Sequence, residues 1–147
     1  MAITAAGLYG LTLEKMFIDT LAQSAEAETH KELLVLDTYT PNYDTHDFRD
    51  DVTNEVTGTN YTAGGVAITT TEVTVATGTL TFDAADTVYA NVTVSNVMAG
   101  VVYFNVGTAA TDPLFVLQDF VTAVSATAAA FTIQHSATGI FTLDFTP

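Results

Sequence analysis

The chain has no cysteine and no tryptophan, and only three of its 147 residues are lysine or arginine. Without cysteine, disulfides, thiolate metal sites and cysteine nucleophiles are all excluded. Three cations against seventeen Asp and Glu leave a formal net charge of −14. Nucleic acid is therefore not an expected partner, because phosphate binding requires a basic patch. An anionic membrane surface is excluded on the same ground. No apolar run approaches the roughly 18 residues of a membrane helix. The opening MAITAAGLYGLTLEKMF carries no basic region of the kind that begins a signal peptide. Charged residues of both signs make up 14 % of the chain, well under the ordinary quarter or so. The surface must then be wetted mainly by hydroxyls, and 28 threonines are present to do it.

Threonine, valine and aromatic residues suit a pleated, half-buried surface. From Val66 onward, period-two patterns follow one another. EVTVATGTLTF (72–82) reads as a hairpin turning near Thr77-Gly78. Asn91 to Met98 and Val101 to Val106 read as two strands, the second central because it is apolar on both faces. Pro113 opens a strand from Leu114 to Phe120. Phe131/Ile133 and Phe141/Leu143/Phe145 read as a closing hairpin turned at Ser136-Ala137-Thr138-Gly139. Earlier, Leu33 to Leu36 is an unbroken apolar run that suits a buried strand. Leu13, Met16, Phe17 and Leu21 fall at helical spacing, which predicts a helix over 11–28 with Thr12 as its N-cap. Residues 1 to 7, small and apolar, read as a loose arm or a segment that pairs with a partner. The expected fold is all-β. It is one domain, an antiparallel β-sandwich or barrel of seven to eight strands, with an arm and short helix over 1–30 and the β core over 31–147.

One segment stands apart. Residues 37–65, DTYTPNYDTHDFRDDVTNEVTGTNYTAGG, hold six of the seventeen acids, one of the three cations and a dense set of turn formers. Asp44, His46, Asp47, Asp50 and Asp51 lie close enough to suggest oxygen ligands for calcium. The spacing does not fit the twelve-residue loop with its glycine at position six, and an acidic solvated turn is the expectation. His30, His46 and His135 are scattered and form no HExxH pair, so no zinc site is expected. No GxSxG surrounds Ser24, Ser95, Ser125 or Ser136, and neither a P-loop nor GxGxxG occurs. His135 beside Ser136 reads as a polar turn. Enzymatic activity and a cofactor are therefore not expected. Asp44 or Thr45 is expected to cap a single turn that places Phe48 and Val52 inward, with Asp47, Arg49, Asp50 and Asp51 wet. Gly64-Gly65 supplies positive φ where the segment returns to the sheet. The result is a lid in which Phe48, Val52 and Tyr61 are buried and Asp50 and Asp51 exposed. Tyrosine is enriched at subunit interfaces, so Tyr39, Tyr43 and Tyr61, with Leu8, Tyr9 and Leu11 of the arm, are the candidate interface residues.

TPNYDTHDFRDDVTNEVTGTNYTAGG resembles a segment, ending in YTAGG, of a family of small tailed-phage virion structural proteins. FDAAD (82–86), VVYFNVGTAATDPLFVLQDF (101–120) and FTIQHSATGIFTL (131–143) resemble later blocks of the same family, so the likeness runs in order over about 33 to 145. The family usually has a tryptophan after DAAD, where this chain has Thr87-Val88-Tyr89. The resemblance implies a structural component of a phage particle. Together with an acidic, cysteine-free, threonine-rich β domain and an apolar arm, it makes a capsid decoration (cement) protein on the outer shell the first expectation. Its partners would be the major capsid protein and copies of itself, in a symmetric homo-oligomer, and it carries no catalytic residues. A tail, head-fibre or adaptor component and a host-surface glycan-binding module are the alternatives.

Overall fold

A computed structural model describes Ile3, residues 5–17 and residues 29–144. The elements run β1 (Gly7–Leu8), α1 (Gly10–Phe17), β2 (His30–Leu36), a 3-10 turn (Arg49–Asp51), β3 (Val66–Ala67), β4 (Glu72–Ala76), β5 (Thr79–Asp83), β6 (Thr87–Phe104), β7 (Leu114–Ile133) and β8 (Phe141–Asp144). Two antiparallel sheets result, one of five strands in the order β1-β7-β6-β2-β3 and one of three in the order β4-β5-β8. This is the expected all-β sandwich with one short helix.

β2 earns its interior position by being apolar on both sides. Leu33 and Val35 enter a cluster with Tyr39, Val101, Tyr103 and Leu117. Leu34 points the other way, to Tyr89, Val92 and Phe131. A third cluster, Ile68, Phe82, Val102, Phe104 and Phe115 with Phe141 packed against it, fills the space between the two sheets. The ring pairs Phe82–Phe115 and Phe115–Phe141 meet edge-on at 5.1 and 5.2 Å, the arrangement that ring quadrupoles favour.

β6 and β7 are one long ribbon. The sequence breaks each into two strands because its period-two pattern falters at Asn96 and between Phe120 and Phe131. In the structure those faults are register shifts within continuous strands. Asn91, Asn96, Val121 and Ala128 take positive φ there, and such bulges raise local twist and bend the strand. The ribbon therefore curls back, so that Tyr89 donates a hydrogen bond to the carbonyl of Glu32, although Glu32 pairs with Val102 in the ladder.

The closing hairpin is also corrected. Phe131 and Ile133 pair with Tyr89 and Thr87 of β6, whereas Phe141 and Leu143 pair with Phe82 and Leu80 of β5 in the other sheet. The tight turn is present, with the Gly139 amide on the Ser136 carbonyl at 2.8 Å, but it switches sheets. The β4–β5 hairpin is as expected, with Thr77 and Gly78 both at positive φ in its two-residue turn.

At the start, the arm is not loose. Ile3 and Tyr9 have no exposed surface, and Gly7–Leu8 pairs with Leu117 and Val116. Thr12 is not a cap but lies inside α1, where its buried hydroxyl donates to the Leu114 carbonyl. The continuation of that helix over 18–28, the side chains of Met16 and Phe17, and Phe145 lie outside the described residues.

Candidate functional site: the lid and the polar core beneath the ribbon

Backbone pairing fixes both ends of the lid. Near its start, the Leu36 amide donates to the Asn54 carbonyl (3.0 Å) and the Val56 amide to the Leu34 carbonyl (2.8 Å). In its middle, the Arg49 amide donates to the Asp112 carbonyl (2.9 Å), the Asp50 amide to Ala109 (3.1 Å), and the Leu114 amide to Asp47 (2.9 Å). At its end, Gly64 and Gly65 sit at φ 86° and 70°. A Cβ on Gly65 would run into the carbonyl of Glu32, and Tyr103 donates its hydroxyl proton to the Gly64 carbonyl at 2.6 Å. The YTAGG turn is thus pressed against the central strands, which explains its glycines.

The acids of the lid do not converge. Asp47 pairs with Lys15 of α1, whose ammonium also lies 4.6 Å from the Phe48 ring centre. Asp51 closes the 3-10 turn, its Oδ2 accepting the amides of Asp47 (2.9 Å) and Phe48 (3.2 Å). Burial pushes the Asp51 carboxyl up, but those two amides, together with nearby His46 and a side-chain hydrogen bond from Asp47, hold it below its ordinary value. The cap is therefore Asp51 reaching backward rather than Asp44 or Thr45 reaching forward, and Asp51 is half-buried instead of exposed. Asp50 is exposed as expected. Phe48, Val52 and Tyr61 are half-buried rather than buried. Among the described residues no three acids, histidines or cysteines are grouped to hold a metal ion.

Arg49 does more than face water. Its Nε donates to Asp112 Oδ2 at 3.0 Å, and its guanidinium lies 5.2 Å from the Tyr103 ring centre. Asp112 has no exposed surface, and its Oδ1 accepts the amides of Val106 (3.0 Å) and Gly107 (2.8 Å). One buried carboxylate thus ties the lid to the β6–β7 loop.

The six candidate interface residues separate into two groups. Tyr9 and Tyr39 are interior, their hydroxyls 3.0 Å apart, and Tyr39 also meets His46 Nδ1 at 3.0 Å. Desolvation, the first cause in each case, pushes the Tyr39 hydroxyl up to about 12 and that of Tyr9 higher. Tyr43 packs on Tyr9 and donates to the Ala5 carbonyl at 2.7 Å, so it stays half-buried. Leu8 is half-buried against the aromatic cluster between the sheets, and Leu11 is half-buried in α1. Tyr61 belongs elsewhere, packed with Tyr89, accepting from the Leu34 amide (3.0 Å) and donating to Glu55 (2.8 Å). Tyr9 and Tyr39 thus glue lid to arm from within rather than presenting a surface.

A feature absent from the sequence reading lies under the curled ribbon. Glu32 is fully buried, and its Oε1 accepts from Gln118 Nε2 at 2.8 Å. Gly100 leaves room for that carboxyl, since a Cβ there would strike it. Gln118 Oε1 faces His135 Nδ1 at 3.2 Å, His135 Nε2 faces the Thr87 hydroxyl at 3.2 Å, and the His135 amide donates to Asp86 at 3.0 Å. Desolvation pushes the Glu32 carboxyl up to about 7, with hydrogen bonds from Thr87 and Gln118 pulling it partly back. Desolvation also lowers His135, against the opposing charges of Asp86 and Asp83. His135 is therefore not a surface turn residue, and its neighbour Ser136 bonds to Thr138 instead (2.8 Å). The signal was present, since Glu32 falls on the same strand face as buried Leu34. Glu32 has no exposed surface, while Gln118 and His135 are half-buried and Asp86 is exposed, and the chain of contacts acts as a bolt between β2, β7 and the ribbon's end.

Compared with protein families, with curated proteins and with solved structures, the chain matches none.

Proposed function

We propose that this protein is a structural component of a tailed-phage virion, a capsid decoration protein that binds the outer face of the major capsid shell and stabilises it. The observation that carries the reading is the ordered series of motifs over 33–145, and above all the TPNYD…YTAGG stretch. That stretch is the lid, and its distinctive residues have physical work to do. Gly64 and Gly65 accept the close approach of Tyr103 and Glu32, Arg49 binds buried Asp112, and Glu55 holds Tyr61 and the Gly64 amide, the latter at 2.6 Å. An acidic, cysteine-free β-sandwich agrees with the role, and the reading carries no catalytic residue and no cofactor.

Imaging of the intact particle tests it. Decoration requires density for this fold repeated over the whole head. Density confined to a vertex or the tail would replace the reading with a tail, fibre or adaptor role, and absence from the particle would end both.

A further inference from the structure

The bend in β7 is held by side chains. Val121 and Ala128 take φ of 64° and 46°, a left-handed conformation uncommon away from glycine and an outlier for a β-branched valine. Asp119 Oδ1 accepts the Val121 amide at 2.8 Å, and the Thr93 hydroxyl accepts the Ala128 amide at 2.9 Å. Ser125 Oγ accepts the Asn96 amide of β6 at 3.0 Å. With the Val121 and Ala128 amides already satisfied, the edge here is a poor template for an incoming strand. Backbone held in such sparsely populated conformations clusters at ligand clamps and active sites.

What the bend makes is a cleft of about 330 Å³, at the lower end of the roughly 300–1,000 Å³ of small-molecule sites. Its lining is of two kinds. Phe120 and Phe131, ring centres 6.1 Å apart and tilted by 44°, supply apolar surface with Val124 and Ile133. Ser125, Thr132 and Gln134 supply two hydroxyls and a carboxamide, and all three residues are exposed. The Ser125 oxygen accepts from Asn96 and keeps its own proton to donate. Among the described residues no ionisable side chain lines the cleft. No Asp, Glu, Lys or Arg occurs between Asp119 and Asp144.

This lining selects its ligand. An anion would approach a chain of net charge −14 and meet no cation, while a cation would find no carboxylate in the cleft. A wholly apolar ligand would cover the hydroxyls and the amide without pairing them. A neutral ring with hydrogens on its faces and hydroxyls around its rim satisfies both kinds of lining. Its polarised C–H groups meet the negative face of a phenyl ring, and its hydroxyls exchange hydrogen bonds with Ser125, Thr132 and Gln134. We propose that this cleft binds one neutral hexose unit of a glycan. The inference does not rest on the virion reading, because the cleft lies outside the 37–65 segment that carries it.

Amide NMR spectra of the full chain test it, with the methyl glycosides of glucose, galactose, mannose and N-acetylglucosamine as probes. At least one should shift resonances over 120–134 and saturate with a Kd of about 1–10 mM, as one ring in an open cleft allows. Methyl glucuronide, the same ring bearing a carboxylate, should bind about 10-fold more weakly or worse. Phe120→Ala should weaken the best glycoside about 10-fold or more, and Gln134→Ala, at an exposed position, about 3-fold with the melting curve unchanged. No binding by any of the four at about 50 mM, shifts confined to other strands, or equal binding of the glucuronide would each overturn the proposal. So would cyclohexanol binding as tightly as the best glycoside, which would mark an apolar socket for a partner's side chain. If Phe120→Ala does not fold, Gln134→Ala decides, and wild-type affinity in that variant counts against the site. Failure here leaves the particle-imaging test untouched, and the reverse also holds.

Discussion

Replacing Glu32 with glutamine tests the polar core most directly. The carboxyl has no exposed surface, and one of its oxygens accepts from Gln118. Burial lifts its pKa from an ordinary 4.5 to about 7. The folded state therefore holds a proton that the unfolded chain releases between those values. Stability is highest below about 4.5, falls as pH rises, and levels off once pH has passed about 7. At about 1.4 kcal/mol per pH unit, the loss across that window is roughly 3 kcal/mol. Glutamine is nearly the same shape and never ionises, so Glu32→Gln should match the wild type near pH 4.5 and exceed it at pH 8 by up to about 3 kcal/mol. For a chain of this length that corresponds to roughly 6–12 °C in Tm. His135 contributes with the opposite sign. Its lowered pKa means that stability is lost as pH falls through its range, a term common to both proteins that cancels in their difference. The assay is urea or thermal denaturation of both chains from pH 4.5 to 8.5. A difference curve that is flat with pH, or a glutamine variant less stable at pH 8 than at pH 5 by the same margin as the wild type, would refute the assignment.

Other outcomes follow from the lid. Gly65→Ala combines a left-handed backbone with collision against the Glu32 carbonyl and should cost about 3 kcal/mol in chemical denaturation. Asp112→Ala strips Arg49 and two loop amides of their buried partner and should cost about 3–5 kcal/mol, with Arg49→Ala recovering part of the loss in the double variant. Asp51→Asn should flatten the acid-side decline of stability, because the wild-type carboxylate, held below its ordinary value, loses its amide contacts as it protonates. Tyr39→Phe removes the hydroxyl that Tyr9 and His46 share, at a cost of about 1 kcal/mol by thermal melting.

What the residues revealed in advance depended on whether the determining force was local. The Leu33–Leu36 run, the Thr77-Gly78 turn and the glycine pair at 64–65 are set by neighbours in sequence, and each was legible. The fate of the acids was not. Asp47, Asp51 and Asp112 look alike in one dimension, and only folding assigns them to an ammonium, a pair of amides and a guanidinium. The tyrosines misled for a related reason. An amphipathic ring satisfies its hydroxyl equally well inside a protein or at a partner, and Tyr9 and Tyr39 find each other. Long strands with bulges were misread because a positive-φ residue inside a strand resembles a turn until its cross-strand partner is known.

The pairing of β8 with β5 has a kinetic consequence. Leu80 meets Leu143 only after the chain has run through the whole β6–β7 ribbon, so the smaller sheet stays one strand short until the ribbon has formed. A loop of that size carries an entropic cost before any contact rewards it, and such non-local pairings fold slowly. The ribbon, a self-contained hairpin, is positioned to form first. Docking of β8 over Phe82 and Phe115 should then be the slow, late event, leaving that aromatic seam open to water for much of the time the protein takes to fold.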